Sequence, residues 1–297
     1  MAVIFVFIDG VGLGEPGSHN PVSENGYRSL GLMSGGQPFD KRADRVEEDG
    51  HLFKPIDARL GMDGLPQSGT GQTALFTGVN APKVVGRHFG PFPHSALKPY
   101  LREESIFKKV QARGYSCIFM NAYPQVFFDH AQKRNRWSCT TLMTRSAGIP
   151  LNTIEDVQAG TAHTAELTQR AWRDKLDLDV PQIEAEEAAD RVLDQANKHD
   201  LLLSEYYLTD KAGHAQKEDY AHGVLNPLDQ FLYRLINQKK AEDTLLVTSD
   251  HGNLEDLSTK THTLNPVPLF VKGPGATAFR AVESLMDVPG AILEALD

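Results

Sequence analysis

The sequence lacks the features that mark three common classes of protein. Only two cysteines occur in 297 residues, Cys117 and Cys139, with no CxxC pair, which excludes a disulfide framework and favours a reducing compartment. The 30 Lys and Arg are outnumbered by 39 Asp and Glu and form no basic block, so nucleic acid is not an expected partner. No stretch approaches the roughly 18 apolar residues of a membrane-spanning helix. We therefore expect a cytoplasmic protein that uses neither nucleic acid nor a membrane.

Apolar runs rich in β-branched and aromatic residues predict the strands of a buried sheet. The first run, Val3 to Ile8, has no basic residues before it and is typical of a β-strand rather than a signal peptide. Four further runs lie at 115–120, 201–208, 244–248 and 267–271, and helical spacing of apolar residues occurs at 105–113, 184–199 and 225–238. Strands that alternate with helices predict a three-layer α/β/α fold with a mostly parallel central sheet.

Two polar segments interrupt this alternation of strands and helices. Residues 14–50 are rich in small residues and then in charge, and residues 127–182 are polar and irregular. The length suits one large α/β domain. We expect a single domain over 1–297, with both segments as small insertions and 127–182 as a candidate cap.

Three aspartates follow three of the predicted strands. Asp9 follows the first run and is followed by Gly10, while Asp210 and Asp250 come after the runs at 201–208 and 244–248. Ligands of open α/β sheets bind outside the carboxyl ends of the strands. The three carboxylates should therefore converge on one crevice.

Three histidines lie close to these aspartates in the sequence. His214 stands four residues after Asp210, His251 directly follows Asp250, and His262 lies in a polar loop before the last strand. A single histidine is most simply explained as a packed imidazole, but three beside aspartates at strand ends indicate ligands. Carboxylate and imidazole without thiolate suit Zn²⁺ or Mn²⁺. Two such ions about 4 Å apart can hold both oxygens of an in-line displacement at phosphorus.

The segment QSGTGQTALFTG at 67–78 predicts a hydroxyl nucleophile at a strand-to-helix turn. Thr70 lies between Gly69 and Gly71, and a helix start favours a bound anion. Metal coordination can activate a threonine hydroxyl at neutral pH. Taken alone, Thr70 is more simply explained as a helix cap, which is compatible with a role as nucleophile, and Ser68 and Thr73 are alternative hydroxyls.

Two further residues are candidates for substrate binding. Arg87 lies in a loop rich in glycine and proline at 84–100, close in sequence to the nucleophile turn, and could hold two phosphate oxygens. Asn121 follows the run at 115–120 and should face the same crevice. Neither residue identifies a substrate.

These motifs, in this order, resemble those of the alkaline phosphatase superfamily, especially its cofactor-independent phosphoglycerate mutases and phosphopentomutases. The matching segments are Asp9-Gly10, the nucleophile turn, a DxxGH segment, SDHGN and an HT pair before a VP strand. The resemblance implies an alkaline-phosphatase-like fold and a transiently phosphorylated Thr70. It also implies two metal sites, one held by Asp210, His214 and His262 and the other by Asp9, Asp250, His251 and the Thr70 oxygen. The CxPxR signature of the sulfatases is absent.

The expected activity is phosphoryl transfer or hydrolysis on a small phosphate ester, dependent on two divalent ions and passing through a phosphothreonine. The related mutases carry a large cap domain, whereas this chain offers only 127–182 to exclude water from a phosphoenzyme. Hydrolysis or another transfer is therefore favoured over a phosphomutase acting on phosphoglycerate or a sugar phosphate. A metal-binding protein without catalysis is the third hypothesis.

Overall fold

A computed structural model describes residues 1–24 and 26–297. Its strands are β1 (Val3–Ile8), β2 (Val46–Glu48), β3 (His51–Ile56), β4 (Cys117–Phe119), β5 (Leu201–Tyr206), β6 (Thr244–Thr248) and β7 (Val267–Lys272). The helices of the first half are α1 (Pro21–Glu24), α2 (Arg28–Met33), α3 (Ser68–Thr77), α4 (Ala81–Val85), α5 (Lys98–Glu103), α6 (Ile106–Ala112), α7 (Gln125–Arg134) and α8 (Cys139–Ser146). The remaining helices are α9 (Ile154–Gln158), α10 (Arg170–Leu176), α11 (Ala185–Ala196), α12 (Leu208–Ala215), α13 (Glu218–Gln238) and α14 (Val288–Leu296). Short 3₁₀ turns occupy Ser95–Leu97, Pro274–Phe279 and Leu285–Asp287.

All seven strands form one sheet, in the order β2-β3-β7-β6-β1-β5-β4. The pairs β1 with β5, β1 with β6, and β4 with β5 are parallel, whereas β2 with β3, β3 with β7, and β6 with β7 are antiparallel. The prediction of an α/β fold is confirmed. The prediction of a mostly parallel sheet is only partly correct, because the half built from β7, β3 and β2 is antiparallel.

The central strand β1 shows why the predicted runs are apolar throughout. Val3, Phe5 and Phe7 pack into the core beneath α3, α5, α6, α8 and α14, whereas Ile4 and Val6 pack against α2, α11 and α13. A strand covered by helices on both faces needs an apolar side chain at every position. The three-layer arrangement therefore follows directly from the first eight residues.

The structure corrects the sequence interpretation at several boundaries. The segment 14–50, read as an insertion, contributes β2 to the central sheet, where β2 pairs with β3. The run at 201–208 ends its strand at Tyr206, and Leu208 begins α12. The helix predicted at 225–238 begins at Glu218 and continues through Pro227.

Residues 127–182 divide into two parts. Cys139, Leu142 and Met143 of α8 belong to the main core on the α3 side of the sheet. The later part surrounds a separate small apolar cluster that includes Val157 and Trp172. Within the described residues, no helix is long and apolar enough to cross a membrane.

Candidate metal centre

The six predicted ligands meet at the carboxyl ends of β1, β5 and β6. The register brings these ends level, since Ile8 lies opposite Tyr206 and the backbone N–H of Asp9 donates to the Tyr206 carbonyl at 3.0 Å. Gly10 has a φ of 72°, and a Cβ there would stand 2.8 Å from the Asp210 Cβ. The turn after β1 thus requires glycine, because the backbone must pass directly against the second carboxylate.

The first group of ligand atoms is buried between β1 and β6. His251 Nε2 lies 3.3 Å from Asp9 Oδ1 and 3.5 Å from Asp250 Oδ2. Asp250 and His251 are fully buried, and Asp9 is 7% exposed. One ligand atom from each of the three residues falls within 4.8 Å of the other two.

The second group lies beside the first and is more open to solvent. His214 Nε2 is 3.3 Å from Asp210 Oδ2 and 3.3 Å from His262 Nε2, and His262 Nε2 is 3.5 Å from Asp210 Oδ1. His251 adjoins both groups, because its ring stacks on that of His262 with centroids 3.8 Å apart. The His214 side chain is 46% exposed, so the centre opens to solvent on this side.

All three histidines are oriented in the same way. The Nδ1 atoms of His214, His251 and His262 face the backbone carbonyls of Lys260, Gly252 and Pro66, at 2.7, 3.4 and 2.6 Å. An Nδ1–H that donates to a carbonyl leaves Nε2 as the unprotonated atom, directed at the carboxylates. This arrangement of a backbone acceptor behind the ring is typical of metal-binding histidines.

The electrostatics of the centre favour a bound cation. Burial, and then the charges of Asp250 and Asp210, raise the pKa of Asp9 well above its ordinary range. Burial and the charge of Asp210 raise the pKa of Asp250 to about 7. Burial lowers the pKa of His262 to about 4 and that of His251 below its usual value, so both rings are neutral. Asp9 Oδ1 is buried without a hydrogen-bond partner among the described residues, and these donors therefore fit divalent ions.

The hydroxyl closest to this centre is that of Ser68, not that of Thr70. Ser68 is the first residue of α3, and its Oγ lies 3.0 Å from His251 Nε2. The Thr70 hydroxyl donates to the Gln67 carbonyl at 3.0 Å and accepts from the Phe89 N–H at 3.2 Å. In this geometry the Thr70 hydroxyl ties the helix start to the following loop, and the role of Thr70 as nucleophile and metal ligand stays a prediction.

Comparison with known proteins supports the same assignment of the fold. A model of the metalloenzyme superfamily matches residues 176–297, which contain five of the six ligands. Residues 176–297 of the chain are therefore similar to the metalloenzyme superfamily. A 2,3-bisphosphoglycerate-independent phosphoglycerate mutase of Desulforudis audaxviator is 34% identical over 125 residues, which is 39% of this chain and 24% of the mutase. The corresponding mutase of Acetivibrio thermocellus is 33% identical over 110 residues, 34% of this chain and 22% of the mutase. The matched region thus spans about a quarter of these relatives.

Solved alkaline phosphatases share the fold over the whole chain. The enzyme from the Antarctic bacterium TAB5 has a TM-score of 0.55 at 14% identity and covers 99% of this chain and 98% of its own. The cold-active enzyme from a psychrophilic Shewanella has a TM-score of 0.56 at 15% identity, with complete coverage of both chains. At this level of identity the likeness concerns the fold alone.

Gln72 and Glu255 hold the ligands and were not predicted from the sequence. Gln72 Nε2 donates to Asp9 Oδ2 at 2.9 Å and to Asp250 Oδ2 at 3.1 Å. Glu255 Oε2 accepts the N–H groups of Gly12 and Asn253, each at 2.8 Å, and so joins the turns after β1 and β6. Gln72 lies four residues after Ser68, one turn along α3, and that spacing could have indicated it.

A further buried acid, Glu205, lies on β5 beside the centre. It occupies the α3 side of the sheet, its Oε2 accepts the Thr140 hydroxyl at 2.9 Å, and burial raises its pKa to about 7. The signal in the sequence was a glutamate inside an otherwise apolar strand. Asn121, predicted to bind substrate, instead uses both ends of its amide on the Glu205 backbone, at 2.7 and 2.8 Å. Asn121 is 1% exposed and joins the segment after β4 to β5, and its role in substrate binding stays a prediction.

Glu205 should make the metal-free protein less stable as the pH rises. The pKa of Glu205 is about 7 in the folded chain against an ordinary 4.5. Its contribution to the stability of the fold is therefore complete below about pH 4.5 and is lost as the pH rises through 7. Between pH 4.5 and 8, the free energy of unfolding of the wild type should fall by up to about 3 kcal/mol more than that of Glu205→Gln. Urea unfolding of both proteins across that range measures it. An unchanged pH dependence in the variant would contradict the assignment.

Arg87 is exposed, and its guanidinium lies 5.8 Å from the centroid of the Phe89 ring. Phe89 in turn contacts the α3 start, since its carbonyl accepts the Thr70 N–H at 2.9 Å. Arg87 thus lies on the same loop as the residues beside Ser68. Its role in substrate binding stays a prediction.

Proposed function

We propose that the protein transfers or hydrolyses the phosphoryl group of a small phosphate ester, using two divalent ions and Ser68 as nucleophile. The single observation that carries the proposal is the Ser68 hydroxyl at a helix start, 3.0 Å from Nε2 of His251, a ligand of the first group. A nucleophile needs a neighbouring group that takes up or displaces its proton. No other hydroxyl of α3 has this position.

The proposed ion sites follow the two groups of side chains. Asp9, Asp250 and His251 would hold one ion, and Asp210, His214 and His262 the other. Bound divalent ions would polarise the phosphoryl oxygens and favour the deprotonated form of a nearby hydroxyl. Their identity as Zn²⁺ or Mn²⁺ rests on the absence of thiolate and the presence of both carboxylate and imidazole.

The chain's own residues define the steps. The Ser68 hydroxyl releases its proton to solvent and attacks phosphorus in line with the ester oxygen. A Ser68 phosphate forms, the bond between phosphorus and the ester oxygen breaks, and the leaving alkoxide takes up a proton from solvent. Peptide N–H groups at the start of α3 favour the phosphoryl anion. Water then attacks phosphorus, the bond to Ser68 Oγ breaks, and inorganic phosphate leaves. In a transfer reaction an acceptor hydroxyl replaces that water.

A panel of small phosphate esters tests the proposal. We expect the purified chain to release phosphate when Mn²⁺ or Zn²⁺ is added, and to lose that activity with a chelator. Turnover of no ester with either metal would contradict the proposal and favour a metal-binding protein without catalysis.

A phosphomutase is the second candidate, because the matched mutase of Desulforudis audaxviator is 34% identical over 39% of this chain. ³¹P NMR on sugar phosphates and phosphoglycerates separates the two activities. Migration of the phosphate within the substrate identifies a mutase, and inorganic phosphate as the sole product identifies a hydrolase. In either case we propose a single domain in which part of 127–182 acts as a small cap.

A further inference from the structure

A small cavity lies directly beside the start of α3. Its volume is about 230 Å³, and its walls include Phe89, Phe92, Lys98, Arg136 and Trp137. This volume is enough for a few heavy atoms and is below that of the pockets that enclose drug-sized ligands, about 300–1,000 Å³. The cavity can therefore hold one small group of a substrate.

Two walls of the cavity are attached to α3, the helix that begins at Ser68. On one side the Phe89 carbonyl accepts the Thr70 N–H at 2.9 Å, and a Cβ at Gly69 would stand 2.7 Å from that carbonyl. On the other side Cys139, two residues after Trp137, directs its thiol at the Gly69 carbonyl at 3.6 Å. A Cβ at Gly90, which also lines the cavity, would stand 3.2 Å from the Ser68 backbone nitrogen, so the cavity lies against the start of α3.

The charge of the cavity is opposite to that of the protein. The chain carries a net charge of −9, yet the described lining residues include Lys98 and Arg136 and no aspartate or glutamate. Within the described part of the chain, neither cation forms an ion pair with a carboxylate. The Arg136 guanidinium lies 3.9 Å above the Phe92 ring, and this stacking leaves the N–H groups at its edge free to donate.

The aromatic rings of the cavity are already covered by other side chains. Arg136 lies over Phe92, Arg145 lies 3.8 Å over Trp137, and His94 packs edge-on against Phe89 at 4.9 Å. An aryl group would have to displace these contacts to stack. An anionic group needs only the free N–H donors of Arg136 and the Lys98 ammonium.

We propose that this cavity binds a second anionic group of the substrate, a carboxylate or a further phosphate, while the phosphoryl group to be transferred lies at Ser68. The inference rests on the proposed function and names its substrate class as small phosphate esters with two anionic groups. Lys98 and Arg136 are then specificity-determining residues, distinct from the six metal ligands.

Three two-carbon esters test the inference on the metal-loaded full chain. Ethyl phosphate has no second anion, phosphoglycolate adds a carboxylate, and ethane-1,2-diyl bisphosphate adds a phosphate. We expect kcat/KM for phosphoglycolate, for the bisphosphate or for both to exceed that for ethyl phosphate by about tenfold or more. Which ester gains identifies the carboxylate or the phosphate as the second group.

The double variant Lys98→Gln/Arg136→Gln should lower this ratio about tenfold, towards that of a site without preference. Arg134→Gln is the matched control, because Arg134 is an exposed cation two residues from Arg136 that does not line the cavity. It should leave the ratio unchanged. Equal losses on all three esters would overturn the inference, because the cations would then act on the transferred phosphoryl group.

A binding measurement separates failure of this inference from failure of the proposed function. Calorimetric titration of Ser68→Ala with ethane-1,2-diyl bisphosphate and with ethyl phosphate needs no turnover. If the wild type hydrolyses no ester but the bisphosphate binds through Lys98 and Arg136, the proposed function fails and the cavity assignment stands. If esters are turned over without preference and the double variant binds both ligands as before, the cavity assignment fails and the function stands.

Discussion

Replacing Ser68 by alanine is expected to lower kcat for phosphate-ester turnover on the order of 10³-fold or more. The variant removes the hydroxyl that stands 3.0 Å from His251 Nε2 and leaves all six ligand side chains in place. Loss of a nucleophile typically costs several orders of magnitude, and the metal centre and helix start supply only the residual rate. Steady-state kinetics with saturating metal measure the loss.

Thr70→Val is the matched comparison, because valine has the shape of threonine without its hydroxyl. We expect kcat to change less than about tenfold, with a loss of stability of about 1–3 kcal/mol from the hydrogen bonds to Gln67 and Phe89. Metal content of Ser68→Ala, measured by mass spectrometry of the bound metal, should match that of the wild type. The assignment of Ser68 fails if Thr70→Val abolishes turnover while Ser68→Ala retains it.

Asp250→Asn should have opposite effects on the metal-free and metal-loaded protein. Asp250 is fully buried beside Asp9, so its charge destabilises the metal-free fold at pH 8, and the neutral amide should raise the metal-free Tm by a few degrees. The same charge attracts the ion. We expect metal affinity to fall at least about 100-fold and the metal-dependent rise in Tm to disappear.

For the wild type, a metal concentration about 1,000 times the Kd adds about 4 kcal/mol, which corresponds to roughly 10 °C in Tm for a chain of this size. Calorimetric melting with and without Mn²⁺ or Zn²⁺ provides the comparison. Asp194→Asn is the control, since Asp194 is an exposed acid on α11, and it should leave both Tm values unchanged. A metal-free Asp250→Asn protein that melts below the metal-free wild type would contradict the repulsion argument.

The positions of the ligands could be predicted from the sequence because they depend on strand ends. Asp9 and Asp250 follow runs that must be buried strands, and parallel neighbours bring their carboxyl ends to one edge. The choice of hydroxyl could not be predicted in this way. Ser68 and Thr70 are both polar residues at a helix start, but they differ by about 200° around the helix axis, and only the packing of α3 decides which faces His251.

The remaining differences between the sequence interpretation and the structure also have physical causes. Asn121 follows a strand that lies at the edge of the sheet, where its amide bonds to the neighbouring backbone instead of facing a ligand. β2 has only three residues, none of them fully buried, so no periodic pattern marked it. The cavity beside Ser68 is built from 89–98 and 136–137, segments far apart in the sequence that meet only through α3.

The order of the strands has a consequence for synthesis. β1 lies at the middle of the sheet, yet its partners β5 and β6 are translated about 200 residues after it. Until then, both edges of an apolar strand stay without partners on the ribosome, a state that invites chaperone binding. Asp9 is likewise made long before the other five ligands, so the complete ligand set exists only after β6 and the loop that follows it have been synthesised.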